Sequence, residues 1–463
     1  MKKDNFYRIY SALFLTVCLV PAVCTPFFKG DASKEKRESA KLPSFLNEGK
    51  INTAFFKEFE NYFSENFAFR QQLVTADGRL KSALMHTSAD DDVIVGKEGW
   101  LYYSETVSDF QRINTLSSRE INAVANNLRI IDKNCENRGA DFIFFSAPNK
   151  NSLYPENMPY NYIQTDNNSN LENLTEILSS DDFYIDMKSE LEALNSPTAL
   201  YHKTDTHWNN FGAYAAHTML MNKLGKSSCS AGSNWYTAND RLGDLAAMLY
   251  PSEKAKDMQL HNDYEFEYKY TSRFRGLDDI SITTENKNSQ GHLMMFRDSF
   301  GEAILPYMAE QFNSAEFSRA MPYNLKKVKD KDTVIIEIVE RNLKNLLKSA
   351  PFMEACAVEI SDIKAEKGDS SEAVIKTAEN NGMTHIYGML PESFFKGDKY
   401  RILVEADGNI YEAFNCFEEN LLKDTEYSPY GFSIYLSKEI NTDNIRIIVL
   451  NDNAGAVYAE FLN

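Results

Sequence analysis

The fold is decided by the stretch His292-Leu293-Met294-Met295-Phe296-Arg297-Asp298-Ser299-Phe300-Gly301, which changes from strand to helix character around one serine. Residues 292–296 predict a short buried strand, and apolar residues then recur at helical spacing despite Pro306. Ser299 therefore lies at a helix N-terminus, where unpaired N–H groups can stabilise an oxyanion. Serine also caps helices, so this stretch alone leaves Ser299 as a nucleophile or a cap.

A candidate base for Ser299 lies in Tyr201-His202-Lys203-Thr204-Asp205-Thr206-His207-Trp208-Asn209. A serine hydroxyl is a poor nucleophile until a histidine accepts its proton, and a carboxylate fixes the tautomer of that histidine. The pattern thus predicts a relay from Asp205 through His207 to Ser299. Two alternatives stay open at this point: a zinc ion held by Asp205, His207 and His202, or a histidine with only a structural role.

Together these two stretches resemble a known family. Asp205-Thr206-His207-Trp208 followed by Asp298-Ser299 is similar to the alginate O-acetyltransferase J/X-like (DHHW) family of the SGNH hydrolase-like superfamily. In that family Asp-x-His precedes the serine, which reverses the usual SGNH order. The resemblance covers roughly residues 45–350. One position differs, because Arg297 stands where the family usually has a glycine.

The resemblance implies both a fold and an activity. The implied fold is a three-layer α/β domain with a parallel sheet and permuted motif order. The implied activity is transfer of an acetyl group, through a serine acyl-enzyme, to a hydroxyl of a secreted or cell-wall polysaccharide. The resemblance implies no metal and no organic cofactor, and it implies that a membrane-bound O-acyltransferase supplies the acetyl group.

Polar residues also follow a second apolar strand, predicted over residues 141–146. Asn149 and Lys150 come directly after this strand. Because ligands bind beyond the carboxyl ends of parallel strands, we expect both residues at the same sheet edge as Ser299. Asn149 is predicted to orient substrate and Lys150 to donate to an acyl or sugar oxygen. The alternative is a capping asparagine and a surface lysine.

A third strand, predicted over residues 333–339, ends before Arg341 and Asn342. By its order this block resembles the family's oxyanion-binding block, so Arg341 or Asn342 is expected to join the N–H of Ser299 or Phe300 around the oxyanion. Helix capping by Asn342 is the rival interpretation. The predicted oxyanion and substrate-positioning residues are Phe300, Arg341, Asn342, Asn149, Lys150, Arg297 and Trp208.

Composition limits the remaining classes of function. The 463 residues carry 43% hydrophobic side chains and a formal net charge of -18. The negative charge argues against a nucleic-acid partner. The cysteines outside the N-terminal apolar segment show no paired spacing, and we predict them to be mostly small buried hydrophobes, with disulfides left open: Cys135, Cys229, Cys356 and Cys416.

The N-terminus reads as a membrane signal. Lys2, Lys3 and Arg8 precede a mostly apolar segment over residues 9–28, which is long enough to cross a bilayer. The positive flank predicts the N-terminus inside and the rest of the chain outside the cytoplasm. A cleaved signal peptide, which would leave a secreted protein, is the competing interpretation.

Helical periodicity returns over residues 52–86, after a charged stretch that reads as a stalk. An aromatic stripe on this segment is predicted to pack in the core: Phe55, Phe56, Phe59, Tyr62 and Phe63, with Phe67 and Phe69 following.

After about residue 350 the sequence changes to alternating strands separated by turns, which predicts an all-β, sandwich-like domain. Its tyrosines are predicted either to form a sugar-stacking surface or to fill the core: Tyr387, Tyr400, Tyr411, Tyr427, Tyr430 and Tyr435. The predicted segments are 1–30 (signal or anchor), 31–90 (stalk and helices), 91–350 (catalytic domain) and 351–463 (β-domain).

Three functions remain open from the sequence. The first is the extracytoplasmic O-acetyltransferase that the resemblance implies. The second is a carbohydrate acetyl esterase, in which the same triad passes the acetyl group to water. The third is a non-catalytic polysaccharide-binding or assembly protein, and Arg297 beside the serine is its only support.

Overall fold

The computed structural model describes residues 3–28, 40–47, 49–113, 115–194, 196, 198–229, 234–254, 256–360, 363–417, 428–452 and 455–462. Most of the predicted stalk lies outside these residues. The α-helices within them are α1 (Lys3–Cys24), α2 (Phe55–Asn66), α3 (Arg70–Met85), α4 (Val107–Gln111), α5 (Ser118–Asn137), α6 (Lys150–Leu153), α7 (Asn170–Leu178), α8 (Met187–Ala193), α9 (Asn210–Lys223), α10 (Asp244–Leu249) and α11 (Gly301–Gln311).

The β-strands of the described residues fall into two large sheets and three hairpins. They are β1 (Leu46–Asn47), β2 (Lys50–Ile51), β3 (Val93–Val95), β4 (Leu101–Tyr103), β5 (Asp141–Ala147), β6 (Tyr184–Ile185), β7 (Trp235–Arg241), β8 (Asp257–Asn262), β9 (Lys269–Tyr270), β10 (Ser281–Glu285), β11 (His292–Phe296), β12 (Ser314–Ser318), β13 (Asp332–Val339), β14 (Ala365–Lys367), β15 (Val374–Asn380), β16 (Met383–Met389), β17 (Tyr400–Ala406), β18 (Asn409–Asn415), β19 (Gly431–Leu436), β20 (Asn444–Asn451) and β21 (Gly455–Leu462).

The central sheet has the order β6-β5-β13-β11-β12-β10-β9. Its first five strands are parallel to one another. β10 pairs antiparallel with β12, and β9 pairs antiparallel with β10, so the sheet is mixed where a parallel sheet was predicted. The antiparallel edge is consistent with the burial of β10, which alternates between buried and more exposed residues as a strand with one solvated face does.

Helices cover both faces of this sheet, as three layers require. Successive residues of β5 point to opposite faces. Ile143 and Phe145 pack in the core that also contains α9 and α11, whereas Phe142 and Phe144 pack in the core that contains α5 and α7. The predicted three-layer α/β domain is therefore confirmed, with a mixed sheet.

The C-terminal sheet has eight strands in the order β14-β21-β20-β17-β18-β19-β16-β15. Only two residue pairs join β18 to β19, Phe414 with Ser433 and Asn415 with Phe432. The sheet curls there, so that residues from both halves share one core. The predicted sandwich-like region is thus one continuous curled sheet.

The tyrosines of this region are divided between the core and the boundary with the α/β domain. Tyr411 and Tyr435 are buried. Tyr400 and Tyr430 lie with their ring centres 5.4 and 5.0 Å from the guanidinium of Arg119 in α5. The six tyrosines therefore do not form one exposed sugar-stacking surface in the described part of the chain, and Tyr427 lies outside it.

The N-terminal helices differ most from expectation. Helix α1 contains a segment, Asn5–Cys24, that is long and apolar enough to cross a membrane by length and composition. The stripe on α2, predicted to be core packing, is exposed or half-buried: Phe56 is 80% and Phe59 42% accessible, and the other members are half-buried. The predicted helix is confirmed, but the prediction that its aromatic stripe packs in the core is wrong. Periodicity identifies an apolar face without identifying what covers it.

Candidate active site

The structure brings Asp205, His207 and Ser299 into one hydrogen-bonded relay. His207 Nδ1 lies 2.7 Å from Asp205 Oδ1, and His207 Nε2 lies 2.8 Å from Ser299 Oγ. Ser299 follows β11, and the other two lie on the loop before α9. Asp205 is fully buried, whereas Ser299 is only half-buried. A substrate can therefore reach the hydroxyl while the carboxylate stays shielded from water.

The two-residue spacing of Asp205 and His207 lets one carboxylate oxygen hold both backbone and ring. Asp205 Oδ1 accepts the His207 N–H at 3.0 Å as well as the ring nitrogen. Its other oxygen accepts from Arg241, at 3.0 Å from Nε, and from the Asp244 N–H at 3.2 Å. Burial alone would raise the pKa of Asp205, but these partners hold it well below its usual range.

Lys150 holds the loop that carries Asp205 and His207 by donating to its carbonyl groups. Its ammonium donates to the carbonyls of His202, Lys203 and Asp205 at 3.1, 3.0 and 2.6 Å, and the residue is 4% exposed. Burial lowers the pKa of Lys150 to about 7. The prediction that Lys150 donates to an acyl or sugar oxygen is wrong, and so is the alternative of a surface lysine, because all three carbonyl contacts are internal.

Replacing Lys150 by Met should damage stability and turnover together. Three loop carbonyls would lose their buried donor, which we expect to lower the free energy of unfolding by about 2–4 kcal/mol. Displacing His207 by about 1 Å would lower kcat by about 100-fold. Urea unfolding and initial rates measure the two effects. The exposed neighbour Lys203→Met is the control, and equal losses in both variants would contradict the bracing role of Lys150.

Asn149 lies behind the site rather than in it. The side chain is fully buried and donates to Asp109 Oδ2 at 3.1 Å, and its N–H donates to Glu340 Oε2 at 2.8 Å. Asn149 precedes α6 without a capping bond from its side chain. Its NH₂ group is committed to a buried carboxylate, which contradicts the predicted role in orienting substrate, and Asn149 takes the N-cap position of α6 without the side-chain bond that capping predicts.

Glu340, the partner of Asn149, is buried and has an unusual proton affinity. Burial, together with the nearby charge of Asp109, raises the pKa of Glu340 to about 7, against the hydrogen bonds from Ser152 and Asn149. The folded protein therefore binds this proton more tightly than the unfolded chain does.

This shift predicts how stability varies with pH. Between pH 4.5 and about 7 the folded state holds a proton that the unfolded state releases, so the contribution of Glu340 is greatest below pH 4.5 and is lost as pH rises. Glu340→Gln removes the titration. We expect the stability of wild type relative to this variant to fall by about 3 kcal/mol over that range. Urea unfolding at several pH values measures this difference, and a constant difference would contradict the shift.

The serine turn is held by Asp298. Its carboxylate accepts the N–H of Phe300 at 2.8 Å and the N–H of Val339 at 2.8 Å, and its own N–H donates to Glu337 at 3.0 Å. The N–H of Phe300 is therefore not an oxyanion donor, contrary to prediction. Ser299 does not cap α11, because Phe300 occupies the N-cap position and the Ser299 hydroxyl faces His207.

Arg297 turns away from the reacting groups. Its guanidinium donates to the carbonyls of Leu277 at 2.5 Å and Asp298 at 3.1 Å, and the residue is buried. Its stem runs so close to Gly301 that a Cβ there would lie 2.5 Å from Cδ. The glycine at position 301, on the adjacent helix, thus makes room for an arginine where the family usually has a glycine. The predicted positioning of substrate by Arg297 is wrong.

Trp208 joins the two halves of the site. The indole is 1% exposed and donates to the Phe300 carbonyl at 2.9 Å, while its ring packs edge-on against the ring of Phe300. The prediction that Trp208 positions substrate directly is wrong, because no face of it is open. It fixes the serine turn against the His207 loop.

Arg341 and Asn342 are half-buried residues of a 3₁₀ helix, Glu340–Leu347, which follows β13. The Arg341 guanidinium lies 5.5 Å from the ring centre of Tyr103 and 5.8 Å from that of Phe300. Val339, not Asn342, is the N-cap residue of this helix. The oxyanion roles of both residues stay predictions.

The residues that could hold a metal ion differ from those predicted, because Asp244 takes the place of His202 in the cluster. Asp205, His207 and Asp244 each have a ligand atom within 4.8 Å of the others. The Asp244 oxygens already accept from the N–H and hydroxyl of Thr206 at 2.8 and 2.6 Å. His202, the third ligand considered, is buried with Nδ1 3.0 Å from the Met258 carbonyl.

Sequence reasoning missed two residues beside the relay. Arg241 ends β7 and Asp244 begins α10, and neither follows an apolar strand of the central sheet. No local pattern marks them. Glu337 was also missed, although a carboxylate inside the buried run of β13 is itself a signal. Burial and the neighbouring Asp298 raise the pKa of Glu337 well above its usual range.

The chain thus combines a mixed three-layer α/β domain with an Asp-x-His loop that faces a serine turn. Residues 93–280 match the family model described as "SGNH hydrolase-like domain, acetyltransferase AlgX". The predicted resemblance to the alginate O-acetyltransferase J/X-like family is therefore confirmed. The match ends before Ser299, which the fold brings to the matched Asp205 and His207.

The solved structures to which the chain is similar are distant. A DHHW family protein from Eubacterium siraeum is 17% identical, with 55% of this chain and 96% of that chain covered and a TM-score of 0.41. Bacillus cereus PatB1 is 17% identical, with 54% of this chain and 96% of that chain covered and a TM-score of 0.43. The O-acetyltransferase domain of Pseudomonas putida AlgJ is 15% identical, with 54% of this chain and 92% of that chain covered and a TM-score of 0.36. No curated protein matches the chain.

Proposed function

We propose that this chain is an extracytoplasmic O-acetyltransferase that passes an acetyl group through Ser299 to a hydroxyl of a secreted or cell-wall polysaccharide. The observation that carries the proposal is the relay from buried Asp205 through His207 to half-buried Ser299, with contacts of 2.7 and 2.8 Å. The match to the AlgX acetyltransferase model supports acetyl as the group transferred.

The relay suits two successive acyl transfers. Ser299 Oγ attacks the acetyl carbonyl while His207 Nε2 takes its proton, and the donor's leaving group departs with that proton. The acceptor hydroxyl then gives its proton to His207, and its oxygen attacks the acyl carbon. Ser299 leaves and recovers its proton from His207. Asp205 holds Nδ1–H throughout, so that Nε2 starts each half-reaction as the acceptor.

The oxyanion formed in each half-reaction needs donors that point at the serine. The Phe300 N–H is used by Asp298, which leaves the N–H of Ser299 and the side chains of Arg341 or Asn342. Arg341 lies over the ring of Phe300, which is itself 4.9 Å from the His207 ring. A guanidinium at this position would stabilise developing negative charge.

The chain is proposed to act outside the cytoplasm, held by α1 or released by its cleavage. The basic residues Lys2, Lys3 and Arg8 before the apolar segment support this orientation. The resemblance also supports an acetyl donor delivered by a membrane-bound O-acyltransferase.

Transfer and hydrolysis differ only in the acceptor of the acyl group. We propose incubating the protein with an acetyl ester and an oligosaccharide, then quantifying acetylated sugar and free acetate by mass spectrometry. Acetylated sugar that disappears in Ser299→Ala supports the transferase. Acetate alone at saturating oligosaccharide would instead assign the esterase.

The non-catalytic alternative rested on Arg297. Its guanidinium lies on the backbone of the serine turn, and the His207–Ser299 contact is present beside it. Arg297 therefore gives no support to an inactive site. Polysaccharide binding that persists in Ser299→Ala, with no acyl-enzyme formed by wild type, would favour that alternative.

A further inference from the structure

The segment after the apolar N-terminus carries a partly exposed aromatic face, formed by Phe45, Phe56 and Phe59, which are exposed, and by Phe55 and Tyr62, which are half-buried. Phe56 is 80% and Phe59 42% accessible. Ring contacts join the cluster, with centroids 5.3 Å apart for Phe45 and Phe55 and 5.9 Å for Phe55 and Phe59. Large exposed apolar patches on soluble proteins mark interaction sites. The same segment exposes Leu42, Leu46, Ile51, Phe69, Leu80, Leu84 and Met85.

This segment is held against the end of α1. The Ala68 N–H, between α2 and α3, donates to Thr25 Oγ1 at 3.0 Å. The rings of Phe28 and Phe69 stack with centroids 6.1 Å apart. Since α1 is long and apolar enough to cross a bilayer, these contacts put the C-terminal end of α2, the helix that carries the aromatic face, beside the point where the chain would leave the membrane.

Over the whole segment, charge does not oppose contact with a lipid surface, although α2 itself carries one basic and three acidic side chains. Residues 40–85 contain six basic and five acidic side chains, whereas the whole chain carries a net charge of -18. Anionic bilayers repel acidic surfaces, so a nearly neutral segment in an acidic protein is the part that can approach them. The connecting residues 29–39 contain no large apolar side chain in their sequence and so offer nothing apolar to cover the face.

We propose that the aromatic face lies in the interfacial layer of the bilayer that α1 enters. Amphipathic helices bury an apolar face to this depth, and aromatic side chains are enriched at that level. α2 then rests on the lipid surface as a second membrane contact, which fixes the catalytic domain close to the bilayer.

The test uses the full chain, with α1 shown to be present by intact mass, in phosphatidylcholine–phosphatidylglycerol vesicles. The vesicles contain a phospholipid with a photoactivatable group near the headgroup end of its acyl chain. After irradiation, digestion and mass spectrometry locate the labelled peptides. We expect label in α1 and in the peptide that contains Phe56 and Phe59, and none at Tyr160, a 91% exposed aromatic of the α/β domain.

The double variant Phe56→Ser/Phe59→Ser is the matched variant, because both residues are exposed and their loss should leave the fold intact. We expect label in the α2 peptide to fall at least about tenfold while label in α1 is unchanged. Label confined to α1 in wild type would overturn the proposal, and a second copy or a protein partner would then be the occupant. Unchanged α2 label in the double variant would also overturn it.

Discussion

Ser299→Ala is expected to lower the rate of acetyl transfer by at least about 10⁴-fold. The substitution removes the atom that accepts the acetyl group and leaves the His207 loop, braced by Lys150, and the serine turn, held by Asp298, in place. Binding of the oligosaccharide should be unchanged, because the missing hydroxyl acts in the transition state. Initial rates with a chromogenic acetyl ester, and calorimetry with the oligosaccharide, measure the two quantities.

Ser318→Ala is the matched control. Ser318 ends β12, and its Cα pairs with Phe296 on the neighbouring strand β11. It lies at the same sheet edge without a contact to His207 among the described residues. We expect its rate to stay within a factor of about two of wild type. A Ser299→Ala enzyme that retains more than about one tenth of the activity would exclude Ser299 as nucleophile.

Asp205→Asn is expected to lower kcat by about 10³- to 10⁴-fold with little change in fold. Arg241 and the Asp244 N–H both donate to Asp205 Oδ2, so the oxygen of the new amide is drawn to that side. The NH₂ group then faces His207 Nδ1, and the ring must carry its proton on Nε2. In this tautomer His207 cannot accept the Ser299 proton.

If Arg241 sets the orientation of the new amide, removing Arg241 as well should restore part of the activity. In Asp205→Asn/Arg241→Leu the guanidinium no longer attracts the amide oxygen, so that only the longer bond from the Asp244 N–H opposes the N–H of His207, which favours an oxygen on its own side. We therefore expect the double variant to be about tenfold more active than Asp205→Asn alone. Rates of the single and double variants measure the difference. A double variant less active than the single would contradict control of the tautomer by Arg241.

The strands and the relay were predictable from sequence because both depend on local patterns. The buried strand His292–Phe296 and the helix after it appear as predicted, with Pro306 inside α11. Parallel strands bring their carboxyl ends to one edge, which is why the residues after β5, β11 and β13 were grouped correctly. The Asp-x-His spacing also predicted which side chains would meet.

The roles of neighbouring residues were not predictable, because they depend on which loop crosses which strand end. Lys150 follows β5 at the correct edge, yet its stem runs inward to the carbonyls of the His207 loop. In the sequence, Arg297 is only a departure from the family's glycine beside the nucleophile. The structure is needed to show that its stem packs against Gly301 and that its guanidinium binds backbone carbonyls. Arg241 lies on a hairpin with no motif of its own, so nothing in the sequence connects it to Asp205.

The most direct test of the account is the intact mass of the protein during turnover of an acetyl ester. A species heavier by about 42 Da, mapped to Ser299, is the expected acetyl-enzyme. We expect it in wild type, and in Asp205→Asn with slower formation, and not in Ser299→Ala. Turnover by wild type with no adduct at Ser299, or an adduct that forms equally in Ser299→Ala, would contradict the assignment of this serine as the nucleophile.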